Sequence, residues 1–150
     1  MTKQFVAEKQ KIEEFKFNLY SSSKNINPTF TPLSCPYDVK FKSADTYCIG
    51  EIKVRSDNNL LYFSKYGPYL ELKKIEGMQK ERERILQQHG IDVKMYYFNF
   101  CEDGLQVFLL QEPWKYNFKW AYLPKDNFEP HIKIWKQVTK LYNSVEKFAI

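Results

Sequence analysis

The sequence predicts an α/β domain in which a mixed sheet of about four or five strands is flanked by helices. Three observations carry that expectation. Segments 3–19 and 72–89 repeat apolar residues at helical spacing. Two pairs of short runs, 37–42 with 47–54 and 93–100 with 105–110, are rich in Val, Ile, Phe and Tyr and are each separated by turn-forming residues. The second helical segment lies between the two strand pairs, so the chain crosses over from one pair to the other, and a parallel pairing is expected where they meet. At 150 residues the chain reads as a single domain, long enough to bury a core without disulfide or metal staples.

The first element is an amphipathic helix over 3–19, with Phe5, Ile12, Phe15 and Leu19 as its apolar stripe. Glu8 falls on that stripe; Glu13 is the inward carboxylate if the helix is rotated. Residues 21–34, rich in Ser, Asn, Thr and Pro, form a linker. The runs 37–42 and 47–54 flank Ser43-Ala44-Asp45-Thr46 and are expected to form a hairpin. Ser56-Asp57-Asn58-Asn59 ends the second strand, and 60–69 reads as an aromatic loop containing Gly67-Pro68. The helix over 72–89 turns Ile75, Met78, Ile85 and Leu86 inward and stops at Gly90. Strands 93–100 and 105–110 join through Cys101-Glu102-Asp103-Gly104, where Asp-Gly supplies the positive φ of a tight hairpin. Residues 111–130 hold three prolines and read as irregular chain with one short strand at 119–123. A helical extension begins near residue 130: a helix over 132–148 buries Trp135, Val138, Leu141, Tyr142, Val145 and Phe148 and turns Lys133, Lys136, Lys140 and Lys147 outward.

A net charge of +5 suits a nucleic-acid partner, and because the charge is spread along the chain, a binding surface has to be assembled by the fold. The 12 Phe, 11 Tyr and 3 Trp can fill a core or stack on bases. No apolar run is long enough to cross a bilayer and the N-terminus lacks a signal-peptide core, so a cytoplasmic protein is expected. Cys35, Cys48 and Cys101 make neither a disulfide framework nor a zinc pattern, and His89 and His131 stand outside any metal-ligand motif. The sequence has no phosphate-cradling glycine loop and no assignable Ser/His/Asp set; the residues that suggest chemistry are acids and a lysine.

That chemistry concentrates in the first hairpin. Strand alternation puts Asp38 on a face with Lys40 and Lys42, and Glu51 on a face with Tyr47, Ile49 and Lys53. Ile49, Ile52 and Val54 make the second strand look interior, where a carboxylate needs a partner or a metal. Two hard-oxygen ligands on adjacent strands suit Mg2+ or Mn2+, and a neighbouring lysine can offset charge that develops at phosphorus. The run Pro36-Tyr37-Asp38, twelve residues, then Glu51-Ile52-Lys53 resembles the motif of the PD-(D/E)XK phosphodiesterase superfamily, which includes restriction endonucleases and Holliday-junction resolvases.

The resemblance covers about residues 5–110 and implies a restriction endonuclease-like core and a Mg2+-dependent DNA endonuclease, structure-specific or resolvase-like. It further implies that Asp38 and Glu51 hold the metal, that Lys53 stands at the attacking water, and that Glu8 is an extra ligand or base. Lys74 and Gln79, on the helix after the Glu-x-Lys strand, would hold phosphate or water. Lys133, Lys136 and Lys140 form the most one-signed basic surface and are candidate DNA contacts. Cutting both strands of a duplex implies a two-fold homodimer. The alternative is a non-catalytic nucleic-acid-binding or assembly protein on the same fold. A third reading is an interaction domain with no nucleic-acid role.

Overall fold

A computed structural model describes residues 3–125 and 129–149; the side chains of 3–6 and 149 lie outside that description, and with them the predicted contact of Phe5. The fold is built outward from β3 (Thr46–Arg55), whose residues from Cys48 to Ile52 are all buried. It pairs antiparallel with β2 (Val39–Ser43) through the two-residue turn Ala44-Asp45, where Ala44 adopts φ 54°. On its other side it runs parallel to β5 (Val93–Cys101), as the crossover requires. The connection passes through α3 (Leu72–His89), which Gly90 ends at φ 66°. β5 continues into β6 (Gly104–Leu110) as an antiparallel hairpin. Adding β1 (Thr29–Phe30) at one edge and β9 (Glu146–Ala149) at the other gives a six-stranded mixed sheet in the order β1-β2-β3-β5-β6-β9.

A sheet apolar on both faces must be covered on both. Cys48, Ile52, Phe98 and Phe100 pack under α1 (Lys3–Ser23), around Phe17. Ile49, Met95 and Tyr97 pack on the opposite face against Ile75 and Met78 of α3. Gly50 leaves room for side chains of the two flanking strands to meet over it: a Cβ there would lie 2.7 Å from the Phe98 ring and 3.2 Å from Val39.

Several predicted elements are corrected. The stripe Ile12, Phe15 and Leu19 of α1 is exposed; the buried face carries Glu13, Phe17 and Ser21, because Phe17 anchors four aromatic neighbours and sets the rotation of the helix. Within the expected linker, β1 forms a short edge strand. The expected loop over 60–69 contains α2 (Leu60–Tyr66), since Asn59 acts as an N-cap and accepts from Tyr62 N. On α3, Ile75 and Met78 are buried as expected, whereas Leu86 is exposed.

The largest correction is at the C-terminus. The predicted helix over 132–148 is instead β8 (Lys133–Lys140) and β9. β8 lies between β4 (Tyr69–Glu71) and β7 (Lys119–Pro124) in a second, three-stranded antiparallel sheet, beyond the single turn of 3-10 helix at Pro113–Lys115. Apolar residues at Trp135, Val138 and Leu141 fit a helical period, yet pairing with partners distant in sequence overrides it. Among the described residues no helix is long and apolar enough to cross a membrane.

Candidate functional site

β2 and β3 pair only from Val39 opposite Gly50 to Ser43 opposite Thr46. Past Gly50, β3 runs on to Arg55 beside β5, so its other edge has lost its partner strand. Asp38 closes part of that edge. Its main-chain N donates to Gly50 O at 2.9 Å, and its carboxylate Oδ2 accepts from Ile52 N at 2.8 Å. A cleft of about 750 Å³ opens where the strands diverge. Glu13 of α1, Asp38, the alternating β3 residues Glu51, Lys53 and Arg55, and Lys74 of α3 line one part of it. Tyr69 and Glu71 of β4 and Lys136 and Val138 of β8 line another.

Glu51 is 2% exposed, and both nearby lysines reach the same oxygen: Oε1 lies 3.4 Å from Lys53 Nζ and 3.5 Å from Lys74 Nζ. Among the described residues, Glu51 Oε2 and Arg55 Nε are buried polar atoms without a hydrogen-bond partner. A buried carboxylate oxygen is costly unless a water, an ion or another donor meets it. Burial and then the Glu51 carboxylate push Asp38 up to about 7, against the Ile52 N–H that favours its charged form. Burial pulls Lys53 down, but Glu51 and Tyr97 more than offset it and its pKa ends raised. Lys53 is therefore an ammonium at neutral pH, suited to act as a fixed positive charge and unsuited to act as a base. The Arg55 guanidinium, whose pKa Tyr97 raises, donates through Nη2 to Tyr97 Oη at 3.2 Å; that hydroxyl in turn donates to Tyr69 O at 3.2 Å. Burial raises Glu13 against the opposing Lys9 at 3.4 Å, and Lys53 and Glu51 also act on it, which ties α1 electrostatically to the site.

The structure thus brings Asp38, Glu51, Lys53 and Lys74 together. Glu8 is exposed and does not line the cleft; the rotation set by Phe17 puts Glu13 there instead. Gln79 also lies off the cleft, its side-chain amide donating to Glu83 at 3.1 Å. Lys136 lines the cleft and donates to Glu71 at 2.6 Å. Lys140 sits 5.3 Å over the Tyr69 ring and 5.8 Å over that of Tyr66. Lys133 is exposed at the start of β8, where alternation puts it on the face opposite Lys136 and Lys140, so the single basic helix face expected of these lysines does not form. Arg55 was missed, although the period that pairs Glu51 with Lys53 extends to it.

The donor set can be tested against a divalent cation. Among the described residues no group of three or more His, Cys, Asp or Glu side chains is placed to hold a metal. Two carboxylates do line the same cleft: Glu51 Oε2 lacks a partner, and the negative charge of Glu51 raises Asp38. A cation between them would satisfy the orphaned oxygen and relieve that repulsion. Mg2+ commonly uses one or two carboxylates and keeps waters at its other positions, so the pair fits it. No protein-family model, curated protein or solved structure significantly matches the chain.

Asp38 also makes stability depend on pH. Its folded pKa of about 7 lies above the ordinary 3.8, so between those values the folded state holds a proton that the unfolded chain has released. In metal-free buffer this group's effect lowers stability as pH rises from about 4 to about 7, after which the loss is complete. Urea midpoints at pH 5 and pH 8 in EDTA should show the decline in wild type and a flatter profile in Asp38→Asn. Equal slopes would mean that Asp38 is not perturbed.

Proposed function

We propose that the protein is a Mg2+- or Mn2+-dependent phosphodiesterase that cleaves DNA, with Asp38 and Glu51 as the metal-holding carboxylates. One observation carries this reading: Glu51, with a buried carboxylate oxygen that lacks a partner, lines a cleft shared with a second carboxylate and a cluster of cations. Helix, hairpin, helix and hairpin in that order, with a parallel β3–β5 pair, also support a nuclease-like core.

A bound divalent ion would supply Lewis acidity toward a phosphoryl oxygen and an acidified water. The chain's own groups act around it. Lys53 holds a positive charge beside the reacting phosphate and offsets the charge that accumulates there in the transition state. Arg55 lines the same cleft and adds a second fixed positive charge, and Lys74 can exchange its contact with Glu51 for a phosphate oxygen. Asp38, titrating near neutrality, can hold a proton in the metal-free protein and release it when a cation binds. Cutting both strands of a duplex would require two such sites, and a two-fold homodimer supplies them.

A second reading has its own support. Lys53 and Lys74 already neutralise Glu51, so the cluster could be a structural ion-pair triad in a non-catalytic nucleic-acid-binding protein. Single-turnover incubation with supercoiled, linear, single-stranded and branched DNA separates the two. Cleavage of at least one substrate in Mg2+ or Mn2+, abolished by EDTA, is expected. No cleavage of any substrate in either metal would remove the enzyme reading.

A further inference from the structure

The cleft wall supplied by the second sheet continues outward as a row of tyrosines. In the register of β4 with β8, Tyr69 lies opposite Lys140 and Glu71 opposite Val138, and strand alternation adds Lys136, so these side chains share one face. Tyr69, Glu71, Lys136 and Val138 of that face line the cleft. The Lys140 ammonium stands 5.3 Å from the centroid of the Tyr69 ring and 5.8 Å from that of Tyr66, so the two rings gather around one cation. Tyr62 lies one turn before Tyr66 on α2, with ring centroids 4.9 Å apart, and Lys65 stands 5.2 Å over Tyr66. Tyr62, Tyr66 and Tyr69 are 42%, 42% and 38% exposed, so each keeps a face open to a partner. Among the described residues Lys65 and Lys140 have rings and no carboxylate as partners, whereas Lys136 is held by Glu71. α2 carries no acidic residue.

We infer that Tyr69, Tyr66 and Tyr62, with Lys140 and Lys65 among them, form a track along which an unpaired nucleic-acid strand leaves the cleft. Here the rings, the cations and the cleft belong to one continuous surface. Within a duplex the faces of the bases are occupied by one another; an unpaired strand offers them to aromatic side chains while its phosphates meet lysines. Lys65 and Lys140, unclaimed by any carboxylate, can turn from a ring to a phosphate oxygen without leaving a buried charge behind. The inference rests on the proposed function for its partner class but does not depend on catalysis. It specifies a substrate with an unpaired segment: a free single strand, a flap or a splayed branch.

The test is binding of a fluorescein-labelled oligothymidylate in EDTA, followed by anisotropy, so that cleavage plays no part. Tyr66→Ala and Tyr69→Ala should each weaken binding by roughly tenfold, within the range for removal of one base-stacking ring. Tyr69→Leu, which keeps apolar bulk without an aromatic face, should weaken it equally, and Tyr69→Phe should bind as wild type does. The leucine variant guards against loss of folding, which the thermal midpoint reports directly. Lys140→Ala should reduce the slope of log affinity against log salt by about 0.7, the share of one phosphate on a single strand. Tyr47→Ala removes a tyrosine 44% exposed under Lys42 but away from the cleft, and should leave affinity unchanged. Absence of oligothymidylate binding by wild type, full affinity in Tyr66→Ala and Tyr69→Leu, or an equal loss in Tyr47→Ala would overturn the track. So would displacement of the oligonucleotide by polyglutamate of equal charge as readily as by unlabelled oligothymidylate, because an acidic protein segment would then fit as well. Tight binding without cleavage of any substrate would keep the track and remove the enzyme; cleavage without oligothymidylate binding would do the reverse.

Discussion

Lys53→Ala is expected to lower the single-turnover cleavage rate by roughly two to three orders of magnitude, the range that follows loss of one preorganised electrostatic donor. The lysine is held 3.4 Å from Glu51 with a raised pKa, so its charge is present before substrate arrives and need not be assembled during the reaction. Its contribution should appear in the chemical step and not in ground-state binding. DNA affinity should barely move, because one cation supplies a small share of a salt-dependent binding term. The fold should survive, since Lys74 remains to neutralise Glu51. A lysine serving only as a strand residue would instead cost at most about 0.5 kcal/mol of stability with no kinetic consequence. Equal cleavage rates in wild type and Lys53→Ala would remove Lys53 from the site even if the fold and the metal stand.

Glu51→Gln should have the larger effect, taking cleavage below detection and Mn2+ binding with it. The amide keeps the shape of the side chain but loses the charge that a cation needs. Two lysines also lose their shared partner. Their side chains are 27% and 39% exposed, so they can turn to water, and a folded variant is expected. Calorimetric titration with Mn2+ separates this from simple destabilisation: a folded Glu51→Gln that still binds the ion as wild type does would show that the ligand assignment is wrong. Removing the Glu51 charge should also lower the Asp38 pKa, leaving burial as its main perturbation.

The parts of this site that were legible in the sequence are those governed by strand alternation. Glu51 and Lys53 share a face because they are two apart on a strand, and the turn between β2 and β3 was readable from its small polar residues. The same period marks Arg55, whose signal was present and overlooked. Helix rotation was harder to read. α1 carries Ile12, Phe15 and Leu19 on one side and Phe17 and Tyr20 on another, so spacing alone could not choose; a cluster of rings around Phe17 from other elements made the choice and exchanged Glu8 for Glu13. The second sheet was only partly legible. The strand at 119–123 was readable and is β7, but β4 has only three residues, β8 has apolar spacing that imitates a helix, and the pairing of β8 with both cannot be read from local periodicity. Its contribution to the cleft, through Glu71, Lys136 and Val138, was therefore out of reach of the sequence.

The central claim, that Asp38 and Glu51 hold a catalytic divalent cation, is tested most directly by anomalous scattering from a crystal soaked in Mn2+. The account predicts one strong manganese peak between the two carboxylates, in contact with Glu51 Oε2 and with Lys53 beside it. Carboxylates still joined only to Lys53, Lys74 and the Ile52 N–H, with no manganese between them at saturating concentration, would contradict it.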